Sequence, residues 1–304
     1  MKLYAPRYYK DFACIAERCK HSCCVGWEID VDGAALEKYA LLKPTYGKEI
    51  SDSIDYTETP HFKLMADERC PHLDERGLCK IITALGEEYL CDICREHPRF
   101  YNDTLYGKEV GLGMACEEAC RIILSSDAYA DRIEIGEAEG ASLAAEFDAV
   151  AEREKIYGIL QTFSLRYDEK RKKICEKYDV SLSLLTAEEW RECLASLEYL
   201  DEAHRALFAS FDPYVSVKEA HEKILDRAFA YFLYRHTAET GSMEEFRAAL
   251  VFCLFCEKLV AYLIHATEAE REEEIVEAAR TVSEEIEYSE DNPEELLFAI
   301  GIHL

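Results

Sequence analysis

Positive charge is what this 304-residue chain has least of: 35 lysines and arginines stand against 62 aspartates and glutamates, for a formal net charge of −27. Nucleic-acid binding rests on Lys and Arg neutralising phosphates, so no nucleic acid is expected as a partner. A lysine-bearing protein surface or a cationic small molecule would be drawn to such a field instead. Long apolar runs are also missing. Met1 to Arg7 contains no apolar core of a signal peptide, which implies a cytoplasmic protein. The longest apolar stretch, Ala248 to Cys256, is interrupted by Glu257 and Lys258, short of the about 20 residues a transmembrane segment needs. Glycine is sparse, and Gly111-Leu112-Gly113 lacks the third glycine of a dinucleotide-binding turn. There is no internal repeat and no low-complexity tract.

What is present is cysteine. Ten of fourteen fall between Cys14 and Cys120: Cys14, Cys19, Cys23, Cys24, Cys70, Cys79, Cys91, Cys94, Cys116 and Cys120. Without a route to an oxidising compartment, and with ample length for a hydrophobic core, disulfide staples are a poor account of this crowding. A bound metal is a better one. Zinc sites favour two compact C-x2-C pairs, and in this region only Cys91 and Cys94 have that form. The irregular remainder suits an iron-sulfur cluster, whose ligands come from separate loops, and a thiolate-bound cluster is anionic. Arg18, Lys20, Arg69, Lys80, Arg95, Arg99 and Arg121 lie near these cysteines in sequence and would offset that charge.

Composition changes over 131–140, which predicts two domains: a cysteine-rich, loop-rich metal-binding domain at 1–135 and an α-helical bundle at 141–304, mainly α overall. Thr186 with Glu189 reads as a capping box opening a helix towards Phe208. Ile224, Leu225, Ala228, Phe229, Phe232 and Leu233 form the stripe of an amphipathic helix. The helix from about Met243 to His265 is apolar on nearly every side, which predicts a central buried element with Cys253 and Cys256 as core residues.

The motif Cys14-x4-Cys19-x3-Cys23-Cys24-Val25-Gly26-Trp27, then Cys70-Pro71-His72-Leu73, Gly77-Leu78-Cys79, Leu85-Gly86-Glu87, Cys94-Arg95 and Pro98-Arg99, resembles the flagellin lysine-N-methylase family. It is also similar to a wider group of cysteine-rich zinc- or iron-chelating domains. Cys116 to Arg121 and Tyr231-Phe232-Leu233-Tyr234-Arg235-His236 extend the likeness. The resemblance implies transfer of methyl groups from S-adenosylmethionine to lysines of flagellin or another lysine-bearing protein, and a [4Fe-4S] cluster, with zinc as the alternative. Its metal positions fall on Cys14, Cys19, Cys23, Cys24, Cys70, Cys79, Cys94 and Cys116. Cys91 and Cys120 depart from the pattern and rank second, and His72 and His97 are expected to pack against the loop.

A free lysine is charged at pH 7 by about 3.4 pKa units, or about 4.6 kcal/mol, so such an enzyme must favour the neutral amine. Tyr231, Tyr234 and His236 are the catalytic candidates for that, and Arg235 the candidate to grip the carboxylate of the methyl donor. The C-x3-C-x2-C spacing of radical enzymes using the same donor is absent: Gly26 follows Cys19 and Cys23, and Ile123 follows Cys116 and Cys120. The alternative to an enzyme is a non-catalytic zinc- or iron-binding module with a helical partner-binding domain.

Overall fold

The computed structural model describes all residues except Glu28, Ala141, Ala145 and Glu290, together with the side chains of Pro44, Thr45 and His303. Ala141, where the second compositional domain would begin, therefore lies outside the described residues. In chain order the elements are β1 (Lys2–Pro6), β2 (Ile29–Asp30), α1 (Gly33–Ala40), α2 (Pro44–Asp52), β3 (Ile54–Asp55), β4 (His61–Phe62), α3 (Lys80–Leu85), α4 (Asp92–Glu96), β5 (Arg99–Thr104), β6 (Gly107–Leu112), α5 (Glu117–Ser125) and β7 (Arg132–Glu137). They continue with α6 (Ala149–Leu160), α7 (Tyr167–Tyr178), α8 (Ala187–Ser196), α9 (Glu202–Phe208), α10 (Glu222–His236), α11 (Met243–Ala266), α12 (Glu272–Glu287) and α13 (Asp291–His303). The chain is mainly α.

Packing divides the molecule into residues 13–98 and a second unit made of 1–12 with 99–304. This differs from a single boundary near 135–141, and the reason is β1. It pairs in parallel with β6 and antiparallel with β7 in a sheet of order β5-β6-β1-β7, so the N-terminus belongs with the helices and the cysteine segment is an excursion from them. Helix α5 follows the same logic, since Ala119, Cys120, Ile122, Ile123 and Leu124 are buried in the helical core.

Within the larger unit, α10 and α11 form the centre. Leu225, Ala228, Phe229, Phe232 and Leu233 are buried along α10 as the stripe predicts, and Tyr231 and Tyr234 are buried as well. Ser242 caps α11, accepting from the Glu245 amide at 3.1 Å, and both Cys253 and Cys256 are fully buried. By length and composition α11 could cross a membrane, with a mean hydropathy of 1.8 over its best window, but 83% of that window is buried inside the protein. The sequence stretch looked shorter because Glu257 interrupts it. That carboxylate is matched inside the core, where the Tyr167 hydroxyl donates to it at 2.6 Å and Arg171 approaches at 3.4 Å. The Thr186 capping box forms as expected, with Glu189 accepting from the Thr186 amide at 2.7 Å. Its helix stops at Ser196 rather than continuing to Phe208, because Asp201 caps a separate α9, accepting from Ala203 at 2.8 Å.

The smaller unit has its own core of Ile29, Val31, Ala35, Tyr39, Ile50, Ile54, Phe62, Ile81 and Leu90, with Cys70 and Cys91 buried among them. A three-stranded antiparallel sheet of order β2-β4-β3 supports it.

Candidate metal centre and the buried network of the helical unit

Three pieces of local structure bring the sulfurs of the smaller unit together. Val25 pairs with Arg69, and the Cys70 amide donates to the Cys24 carbonyl at 2.8 Å, so the Cys24 and Cys70 backbones run side by side. Gly26 follows with φ +89, a conformation that disfavours any residue with a Cβ. Residues 70–80 then form a tight hairpin: Leu73 pairs with Cys79, and Asp74 Oδ1 accepts from the amides of Arg76 at 2.9 Å and Leu78 at 2.8 Å, while Gly77 turns the chain at φ +78. Finally, Cys91 precedes α4 and Cys94 sits one turn on, within hydrogen-bonding reach of it.

The result is an array of Cys24, Cys70, Cys79, Cys91 and Cys94 whose ionisations oppose one another. Burial pushes Cys70 up to about 12, despite the His72 amide directed at it, with the charges of Cys24, Cys79 and Cys91 adding to the rise. Burial likewise raises Cys79 against the amides of Ile82 and Ile81. Cys24 is held down to about 7 by hydrogen bonding from Cys23, with burial opposing and Ser22 and Arg69 assisting. Cys91 is lowered by the bond from Cys94, whose own thiol is raised by it. Thiols that hinder one another's ionisation, with amides aimed at their sulfurs, are a donor set that a cation would stabilise as thiolates. Among the described residues no three cysteine sulfurs lie within 4.8 Å of one another.

Not every expected ligand is gathered there. Cys23 adjoins the array, its side chain hydrogen-bonding Cys24. Cys14 is exposed and its sulfur accepts from the Ala16 amide at 3.4 Å, and Cys19 donates to the His21 carbonyl at 3.0 Å. Cys116 caps α5 in the other unit. Cys91, ranked second from sequence, is a full member, and its C-x2-C spacing to Cys94 was the signal. His72 packs edge-on against Phe62 and pairs with Ser53 at 2.9 Å, as expected of a packing residue.

Three of the four catalytic candidates on α10 converge on a residue that sequence reasoning missed, Glu287. Tyr231 donates to its Oε2 at 2.8 Å, His236 Nε2 lies 2.6 Å from Oε1, and Arg235 Nε lies 3.3 Å from Oε1. Ser283 donates to Oε2 as well. The Tyr231 hydroxyl also accepts from the Met114 amide at 3.2 Å and from Arg235 at 3.1 Å. Burial opposes ionisation of Glu287, but Arg235 and the donors beside it hold its carboxyl down to about 2. Tyr234 points elsewhere, donating to the Val110 carbonyl at 3.3 Å. Burial raises both tyrosines, so neither is a ready phenolate. Glu287 stands 52 residues from Arg235, and no local spacing announces the pairing. A second triad, His204 with Glu284 and Glu285, has ligand atoms close enough for an ion. Glu285 is already engaged there, bonding His204 and accepting from the amides of Leu200 and Asp201.

A helical protein carrying a thiol array on an excursion from its main unit is the class that fold and site define. In comparison with known proteins, the chain is 30% identical over 163 residues to the flagellar biosynthetic protein FliU of Salmonella muenchen, covering 51% of this chain and 94% of that protein. It is 33% identical over 135 residues to the lysine-N-methylases of Salmonella choleraesuis and Salmonella typhimurium, covering 41% of this chain and 33% of each of those. The alignment thus spans about a third of the length of the two lysine-N-methylases. No family model and no solved structure matches. The chain belongs to the family of FliU and the lysine-N-methylases.

Proposed function

We propose that this protein is a cytoplasmic S-adenosylmethionine-dependent protein-lysine N-methyltransferase acting on flagellin, with an iron-sulfur cluster held by four of Cys24, Cys70, Cys79, Cys91 and Cys94. The observation that carries the reading is kinship: two relatives are named lysine-N-methylase and a third is named for flagellar biosynthesis. The donor set supports the cluster, because five thiols share one small unit and raise or lower one another. A bound cluster would supply an electron-accepting, charge-bearing centre. The protein's own part is to hold the sulfurs in place through the 70–80 hairpin and to direct amides at them.

One observation favours a second reading, a metal-binding module without chemistry: the Arg235 guanidinium is engaged by Tyr231 and Glu287, which ties α10 to α12 and occupies the group expected to grip the donor. The test is methyl transfer. Anaerobically purified protein incubated with labelled S-adenosylmethionine and flagellin should place label on flagellin lysines, and should absorb broadly near about 400 nm from iron-sulfur charge transfer. Colourless, zinc-loaded protein that transfers no label would establish the second reading instead.

A further inference from the structure

His72 lies in the turn that opens the 70–80 hairpin, closed by the Leu73 amide donating to the Cys70 carbonyl at 3.1 Å. The same turn directs the His72 amide at the Cys70 sulfur. The ring is 2% exposed and meets Phe62 edge-on, with 4.8 Å between centroids, in the core that also encloses Cys70 and Cys91. Packing accounts for the face of the ring, and Ser53 accounts for one of its nitrogens. Nothing accounts for the other: Nδ1 is buried and has no hydrogen-bond partner. A buried polar atom left unserved is costly, and in a native protein it marks the place of an ion or a water.

Ser53 determines what kind of atom Nδ1 is. Its hydroxyl has one hydrogen, which it donates to the Ile50 carbonyl at 2.6 Å. Towards His72, 2.9 Å away, it can then only accept, so Nε2 carries the ring's proton and donates it. A second proton, on Nδ1, would be a buried charge on an atom with no acceptor. Nδ1 is therefore a bare lone pair. Such an atom cannot hydrogen-bond a thiolate, which also only accepts, but it can bind a metal. Histidines that do so donate their other N–H to an oxygen that fixes the tautomer and the ring, and the chain from Nε2 through Ser53 to Ile50 is a support of that form.

We propose that His72 is a ligand of the metal centre through Nδ1, taking one of the cluster's four positions beside three of the cysteines. This rests on the metal reading above and changes only the identity of the fourth ligand. A neutral imidazole in place of a thiolate leaves the centre one charge less negative, which raises its reduction potential above that of a centre with four thiolates.

The test uses the full chain, reconstituted anaerobically with ferrous iron and sulfide, reduced, and measured by pulsed EPR for nitrogen coupled to the cluster. The wild type should show a directly bound nitrogen whose signal changes when histidine alone carries 15N. That signal should be lost in His72→Phe, which keeps an aromatic ring against Phe62, and equally in His72→Asn, a smaller polar replacement should the first variant fail to fold. Ser53→Ala should keep its iron and alter the coupling, because the ring loses the acceptor that orients it; a merely packed histidine would give no coupling to alter. Iron bound by the wild type with no histidine nitrogen on it, or a coupling that survives both His72 substitutions, would overturn this assignment and leave the metal reading standing. A wild type that takes up no iron overturns both.

Discussion

Glu287 holds a negative charge where its side chain is wholly enclosed, and its worth depends on the groups that surround it. Its ordinary pKa of 4.5 falls to about 2 in the folded protein. Because the folded value is the lower one, the stabilisation is fully present above about pH 4.5 and disappears as pH falls towards about 2, a contribution on the order of 3 kcal/mol. Thermal unfolding followed by circular dichroism should show Tm dropping across that window. Glu287→Gln should flatten this part of the profile and, by leaving Arg235 buried without its counter-charge, cost about 3–5 kcal/mol at pH 7. A variant with the wild-type acid profile would show that Glu287 contributes nothing. At the thiol array, Cys91→Ser should remove iron and visible absorbance as fully as Cys94→Ser, whereas Cys14→Ser should keep both. Metal retained by Cys91→Ser and lost by Cys14→Ser would reverse the assignment. Cysteine type and clustering made a grouping of thiols legible in the sequence, but its membership was not, because the array is closed by backbone pairings such as Cys70 to Cys24 that no spacing encodes.

The elements that matter most to the site are short, and their positions are fixed by turns rather than by propensity. In the 70–80 hairpin a single carboxylate, Asp74, accepts two amides, and Gly77 supplies the positive φ that completes the turn. Asp74→Ala should therefore lower metal occupancy without touching a sulfur, since each lost cap of this kind costs about 1 kcal/mol and the hairpin presents both Cys70 and Cys79. Iron and zinc measured after anaerobic reconstitution will check this; full occupancy with an unchanged melting curve would mean that the hairpin does not need its turn. The long elements behave differently. Helices α10 and α11 were readable because their apolar periodicity and the Ser242 cap are local signals. The break between α8 and α9 was not, because Glu285, from α12, holds the Leu200 and Asp201 amides and stabilises a bend remote in sequence.

Over the whole molecule, the cysteine segment leaves the main unit after Phe12 and rejoins it at Arg99, and these two ends lie close together. The Arg99 guanidinium sits 5.9 Å from the centre of the Phe12 ring, and its Nε donates to the Tyr9 hydroxyl at 2.8 Å. The main unit also encloses its own continuous core, from Tyr8 through α5 to Ile300. Neighbouring ends and a separate core are the conditions under which an inserted segment can be removed without unfolding its host. Joining Phe12 to Arg99 through a short Gly/Ser linker in place of 13–98 should therefore give a helical, cooperatively melting protein that binds no iron or zinc. The same physics predicts failure for a fragment beginning near residue 141. That fragment lacks β1 and α5, and so exposes the faces of α10 and α12 that α5 packs against. Segment 13–98 by itself has a small core that encloses Cys70 and Cys91, so it should fold only with metal. Circular dichroism of the three proteins, with and without iron and sulfide, decides the matter. A well-folded fragment from 141, or a linker-joined protein that is a random coil at neutral pH, would mean that the boundary lies where composition changes and that the cysteine segment is part of the main unit's core.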